Sequence, residues 1–88
     1  MFVHLGADCI VKSSDIIAIF NLNSPDSNIY KKFIKNNEDK YEIVDVTEDG
    51  IYYSCVLTEK KIYLSAISSL TLYKRKVDNF LTNGGIYD

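Results

Sequence analysis

A small α+β fold, a mostly antiparallel β-sheet carrying two helices, is what three features of this 88-residue chain predict. Short runs of β-branched and aromatic residues recur along it, each bounded by turn-forming residues. Two segments, about 24–36 and about 69–80, instead carry apolar residues at helical spacing. The hydrophobic fraction of 47% and aromatic fraction of 12% suffice for one core, but at this length not for two. Residues 1–80 are therefore expected to form a single domain, with 81–88 a flexible tail behind the breaker Thr82-Asn83-Gly84-Gly85.

In chain order, residues 2–5 suit a short strand that ends at Gly6-Ala7-Asp8, and Cys9-Ile10-Val11-Lys12 resumes in β-forming residues, so 2–12 reads as a hairpin. Ser13-Ser14-Asp15 suits a helix cap or a turn. The apolar run 16–22 suits a strand buried on both faces. Ser24, Pro25 and Asp26 form a helix start: a capping hydroxyl, a residue with preset φ, and a carboxylate against the positive helix end. Ile29, Tyr30, Phe33 and Ile34 give that helix its apolar stripe, and Asn36-Asn37 closes it. Runs 41–46 and 51–57 flank Thr47-Glu48-Asp49-Gly50, whose Asp-Gly pair predicts a hairpin between them. Thr58-Glu59-Lys60-Lys61 turns the chain into a strand at 62–65. Ser68-Ser69 then caps a last helix with Leu70, Leu72, Tyr73, Val77 and Phe80 as its apolar residues.

Catalytic chemistry finds little to work with. His4 is the sole histidine, and no Cys pair lies near it, so neither imidazole acid–base chemistry nor a metal site is expected. Cys9 and Cys55 lie far apart inside apolar runs and read as small buried hydrophobes in a reducing cytosol. The acids of 38–49 lack the alternating pattern of a calcium loop, and Gly84-Gly85 lacks the strand and helix of a phosphate cradle. No enzyme activity, cofactor or metal is expected. Nor is a membrane span, since no window approaches about eighteen apolar residues. The opening residues do not read as a secretion leader, so a cytoplasmic location is expected.

Charge is segregated. The net charge is -2 and the pI about 5.3. Glu38, Asp39, Glu42, Asp45, Glu48 and Asp49 crowd a window whose one cation is Lys40, while bases gather at Lys31-Lys32-Lys35, Lys60-Lys61 and Lys74-Arg75-Lys76. Ser68, Ser69 and Thr71 at a helix start, followed by Lys74, Arg75 and Lys76, combine the hydroxyls, amides and cations that contact nucleic-acid phosphates. The plainer account of the same residues is a solvated helix face, or an ion pair of Arg75 with Asp78 three residues on. Tyr41, Tyr52, Tyr53 and Tyr63 supply the aromatic area typical of subunit contacts.

The opening Met1-Phe2-Val3-His4-Leu5-Gly6, followed by Asp15-Ile16-Ile17-Ala18-Ile19-Phe20, resembles the start of the RemB family of extracellular matrix regulators. Ile62 to Arg75, reading I-Y-L-S-A-I-S-S-L-T-L-Y-K-R, resembles that family's Y-L-S-P-I-S-S-x-T-L-x-x-R pattern, with Ala66 in place of the usual proline. The resemblance implies kinship with the RemA regulators, which bind promoter DNA as ring-shaped oligomers and activate matrix genes. Two expectations follow. The first is a homo-oligomeric biofilm-type transcription regulator touching double-stranded DNA through Ser68, Ser69, Thr71, Lys74, Arg75 and Lys76. The second is an oligomeric scaffold whose Tyr41, Tyr52, Tyr53 and Tyr63 bind copies of itself or a protein partner.

Overall fold

The computed structural model describes residues 2–22 and 27–80. Strands β1 (Phe2–Gly6) and β2 (Cys9–Lys12) form the expected hairpin, followed by a single 3₁₀ turn at Ser13–Asp15 and strand β3 (Ala18–Asn21). Helix α1 (Ser27–Asn36) precedes strands β4 (Glu42–Asp45), β5 (Ser54–Leu57) and β6 (Lys61–Ser65), and helix α2 (Ser69–Phe80) follows. The α+β class holds, and three of the four strand pairings are antiparallel. The helix start expected at Ser24, Pro25 and Asp26 lies outside the described residues, as does the tail 81–88.

The β1–β2 hairpin closes through an irregular turn. The register slips between His4 and Gly6, and Gly6 sits at φ +124°. A side chain there would be strained, and its Cβ would come within 3.6 Å of the Val46 carbonyl oxygen. Ala7 also lies at positive φ, and the His4 ring donates from Nε2 to the Ala7 carbonyl at 2.7 Å. The only histidine is thus part of a turn.

The second sheet runs in the order β3-β5-β6-β4 and forms the middle layer. Because side chains alternate across a strand, β5 and β6 feed both faces. Val56 and Tyr63 turn toward the hairpin and α2, joining Val3, Leu5, Val11, Ile16, Val46 and Leu72. Cys55, Ile62 and Leu64 turn the other way, against Leu22 and α1's Ile34, with Tyr30 and Phe33 alongside. Phe20 stacks on Tyr30 at 4.9 Å between ring centroids.

Two expectations about this sheet are corrected. Strands β4 and β5 do not form a hairpin. β4 lies parallel to β6 at the sheet edge, and β5 sits between β3 and β6. Gly50 does take a turn conformation, at φ +78°, but side chains rather than strand pairing organise the loop around it. Asp45 accepts from the Thr47 amide and hydroxyl, Thr47 Oγ1 accepts from the Gly50 amide, and Asp49 accepts from the Ile51 amide. Burial explains the topology. Ser54, Cys55 and Val56 are all buried and need neighbours on both sides, whereas exposed Glu42 and Asp45 suit an edge. The hairpin forms instead between β5 and β6, where Thr58 and Lys61 exchange backbone and hydroxyl hydrogen bonds.

The second correction concerns 16–22, expected to be buried on both faces. β3 is the other edge strand, with β5 on one side only, and Ile17 remains 63% exposed.

A buried polar contact joins the layers. Ser65 Oγ, fully buried, donates to the Leu5 carbonyl at 2.6 Å and accepts from the Ile67 amide at 3.0 Å. Ser54 Oγ, equally buried, donates to the Ile67 carbonyl at 2.6 Å. A buried carbonyl that loses such a partner costs about 1–3 kcal/mol. Ser65→Ala is therefore expected to lower unfolding free energy by roughly that amount, measured by urea denaturation, whereas an exposed control such as Lys40→Ala leaves it within about 0.5 kcal/mol.

Candidate nucleic-acid interface

Helix α2 begins as its sequence predicts. The Ser68 carbonyl accepts from the Leu72 amide at 3.1 Å, the first helical bond, and Ser68 Oγ accepts from the Thr71 amide at 3.2 Å. That makes Ser68 the N-cap. Its hydroxyl also donates to Thr71 Oγ1 at 2.9 Å. Two of the three candidate phosphate-binding hydroxyls are thereby engaged with each other and with the helix start; Ser69, half-buried, opens the helix itself.

The three cations do not share one face. Successive helical residues turn by about 100°, so Lys74 and Lys76 lie about 200° apart around the axis. Leu72, fully buried, marks the inward direction. Lys74 points away from it and is exposed, whereas Arg75 and Lys76 flank Leu72 and are half-buried. Arg75 donates from Nη1 to the His4 carbonyl at 2.8 Å, and Lys76 donates from Nζ to the Ser13 carbonyl at 2.8 Å. Both cations are thus held against the hairpin and the turn that follows it. The pairing of Arg75 with Asp78 falls outside what is described, because the Asp78 side chain is not.

The Lys76 contact adds a residue that sequence reasoning passed over. Lys12, exposed at the end of β2, directly precedes the Ser13 carbonyl that Lys76 binds. Arg75 and Lys76 are therefore tied down at two separate backbone carbonyls, of His4 in the hairpin and of Ser13 in the turn after it. An isolated lysine in a β-strand gives no local sign of this, since the contact spans 63 residues.

The tyrosines disperse. Tyr41 and Tyr52 pack against the α1-side core, Tyr63 packs against the hairpin-side core, and Tyr53 is exposed. The first three spend part of their area inside the molecule, so the four do not form one surface. The large apolar side chains that do stand out on α2 are Leu70 and Tyr73, 63% and 59% exposed. Among the described apolar side chains of the helix, Leu72 is the one fully buried.

Among the described residues no group of three or more His, Cys, Asp or Glu is placed to hold a metal ion. Burial pushes the Cys55 thiol up to about 12. The Cys9 thiol is also raised by burial, offset in part by the charge of Lys61. Asp45 is held below its ordinary value, chiefly by the Thr47 hydroxyl and then by the Thr47 amide. No helix among the described residues is long and apolar enough to cross a membrane.

The contacts Ser65–Leu5 and Arg75–His4 join the two segments whose motifs are most distinctive, and the comparisons cover both. The profile of the RemA-like family, extracellular matrix regulatory protein A-like, matches residues 2–75. The chain belongs to this family. It is also 39% identical over 75 residues to extracellular matrix regulatory protein B of Bacillus subtilis (strain 168), covering 85% of this chain and 89% of that protein. As a member of the family, the chain falls in a class of regulatory proteins rather than of enzymes.

The thiols give a direct check on this packing. A raised pKa keeps a thiol protonated and unreactive, since the thiolate is the nucleophile. At pH 8 Cys55 is expected to react with a disulfide reagent only as fast as the chain unfolds, with Cys9 faster, and both at once in denaturant. Rapid native labelling of Cys55 would contradict the buried position.

Proposed function

We propose that this protein is a non-enzymatic, cytoplasmic regulator of the extracellular matrix and biofilm type, a homo-oligomer that contacts double-stranded DNA weakly through basic groups on α2 and the hairpin. The observation that carries this reading is the tethering of Arg75 to His4, within the stretch the family profile covers. A guanidinium carries five N–H donors in a rigid fork. One is used on the His4 carbonyl, which orients the plane and leaves the others for a phosphate at little entropic cost. Lys76, on the other flank of Leu72, is held by the Ser13 carbonyl that follows Lys12 in the chain, and Lys74 reaches a further direction. Ser68, Ser69 and Thr71 act in this reading mainly as the helix start that aims the cations.

One subunit offers few phosphate contacts, and the chain as a whole is acidic. Affinity therefore has to come from repetition, with copies presenting the same group along one duplex. A ring would supply that repetition.

A second reading, an interaction module without DNA contact, is favoured by a separate observation: the exposed Leu70, Tyr73 and Ile17 beside an edge strand.

Light scattering at micromolar concentration is expected to give an oligomer; a monomer would contradict the proposal. The oligomer is expected to bind a mixed-sequence duplex at about 50 mM salt and to lose most of that affinity by about 200 mM. Arg75→Ala combined with Lys76→Ala abolishes binding, whereas Arg75→Lys keeps part of it. An intact oligomer that does not bind at the lower salt would refute the DNA contact and leave the interaction reading.

A further inference from the structure

Beside the turn that joins β5 to β6, the middle sheet and the hairpin layer enclose a hollow of about 630 Å³. That volume falls within the roughly 300–1,000 Å³ of small-molecule sites. Lys61 and Tyr63 line it from the sheet. They share one face of β6 because they alternate with Ile62 and Leu64, which join the opposite core. That face is the hairpin side, where Tyr63 packs and where the Lys61 charge acts on the Cys9 thiol. Val11 of β2 and Asp15 of the 3₁₀ turn line the hollow from the facing layer. Its walls are fixed by the fold itself. The Ile17 amide donates to the Leu57 carbonyl at 2.8 Å, which ties the turn segment to the sheet. Thr58 Oγ1 accepts from the Lys61 amide at 3.1 Å and donates to the Lys61 carbonyl at 3.2 Å, which holds the β5–β6 tip.

Four charged side chains line this hollow: Asp15, Glu59, Lys60 and Lys61. None of the four has an ion pair or a side-chain hydrogen bond among the described residues. Two are cationic and two anionic, so their formal charges cancel. A ligand that is only an anion meets two carboxylates beside the two ammoniums, and a simple cation meets the reverse; such like-charge contacts select against both. A zwitterion is answered at each end. Lys61 belongs to the sheet wall and Asp15 to the turn wall, so a ligand held by both spans the hollow. Val11, Ile17 and the Tyr63 ring supply apolar surface between them. A few placed charges around an apolar wall is the usual construction of a small-molecule site.

We propose that this hollow binds a free α-amino acid with an apolar side chain. Its carboxylate meets the Lys61 ammonium, its ammonium meets the Asp15 carboxylate, and its side chain lies against Val11, Ile17 and Tyr63. An α-amino acid carries its two opposite charges on one carbon, with the side chain projecting from the same atom, and so matches two charged walls with apolar surface between them. None of the residues lining the hollow takes part in the proposed DNA contact. The two readings therefore stand or fall separately, and amino-acid binding is measured with no DNA present.

The test is titration of the isotope-labelled full chain, followed by amide NMR, with leucine, methionine and phenylalanine, and with aspartate and lysine as controls. At least one apolar amino acid is expected to shift amides within 11–17 and 58–63 and to half-saturate below about 10 mM. N-acetylleucine, which keeps the carboxylate alone, and isopentylamine, which keeps the ammonium alone, should bind at least about tenfold more weakly than leucine. Both analogues are read on the parent chain and need no variant to fold. Lys61→Gln and Asp15→Asn should each weaken binding by a similar factor, with amide spectra that match the parent's away from the hollow. No half-saturation by about 10 mM, shifts confined to other parts of the chain, or binding of either analogue as tight as that of leucine would overturn the proposal. So would tighter binding of aspartate or lysine, or parent-like binding by either folded variant.

Discussion

A single buried hydroxyl, Ser65 Oγ, holds the two ends of this chain together. It donates to a carbonyl in β1, 60 residues away, and accepts from the amide two residues on. The first bond fixes the hairpin to the middle sheet. The second, with Ser54 on the Ile67 carbonyl, fixes the turn at 66–68. That turn delivers Ser68 to cap α2, which carries Leu72 into the core and Arg75 back to the His4 carbonyl. The circuit closes on β1, one residue from where it began. Each bond contributes on the order of 1 kcal/mol, a sizeable share of the roughly 5–15 kcal/mol that holds a small domain folded.

The circuit also explains why the most distinctive residues of the chain are not an exposed recognition strip. Gly6 supplies a backbone angle, Ser65 and Ser54 satisfy buried carbonyls, and Ser68 starts a helix. What reaches the surface is their product, a guanidinium and an ammonium each pinned by one backbone carbonyl beside the hairpin. Pinned cations lose less side-chain freedom when they meet an anion than free ones do. In the proposed DNA contact, stability and recognition would therefore draw on the same contacts, and a change that loosens the hairpin also loosens Arg75.

Local elements were legible in the sequence, and their assembly was not. The 2–12 hairpin, the helix through Tyr30, Phe33 and Ile34, and the Ser68 cap follow from periodicity and capping chemistry that act within a few residues. Asp49-Gly50 misled because it signals a turn without saying which strands the turn joins; the demand of Cys55 and Val56 for two neighbours decided that. Burial of 16–22 was overestimated for a related reason. Apolar composition cannot distinguish a central strand from an edge strand with an exposed apolar residue such as Ile17. The meeting of Arg75 with His4, 71 residues apart, and of Lys76 with Ser13 left no local trace. The stripe Leu70, Tyr73, Val77 could have been read, since it is out of phase with Leu72 on the same helix.

Native-state hydrogen exchange of the paired hairpin amides tests the Ser65 circuit most directly. If the circuit joins the chain ends into one unit, the β1–β2 amides exchange with the same opening free energy and denaturant dependence as those of β5, β6 and α2. In Ser65→Ala the hairpin then separates into a unit of lower stability. A parent hairpin that already opens on its own, well below the global unfolding free energy, would contradict the account.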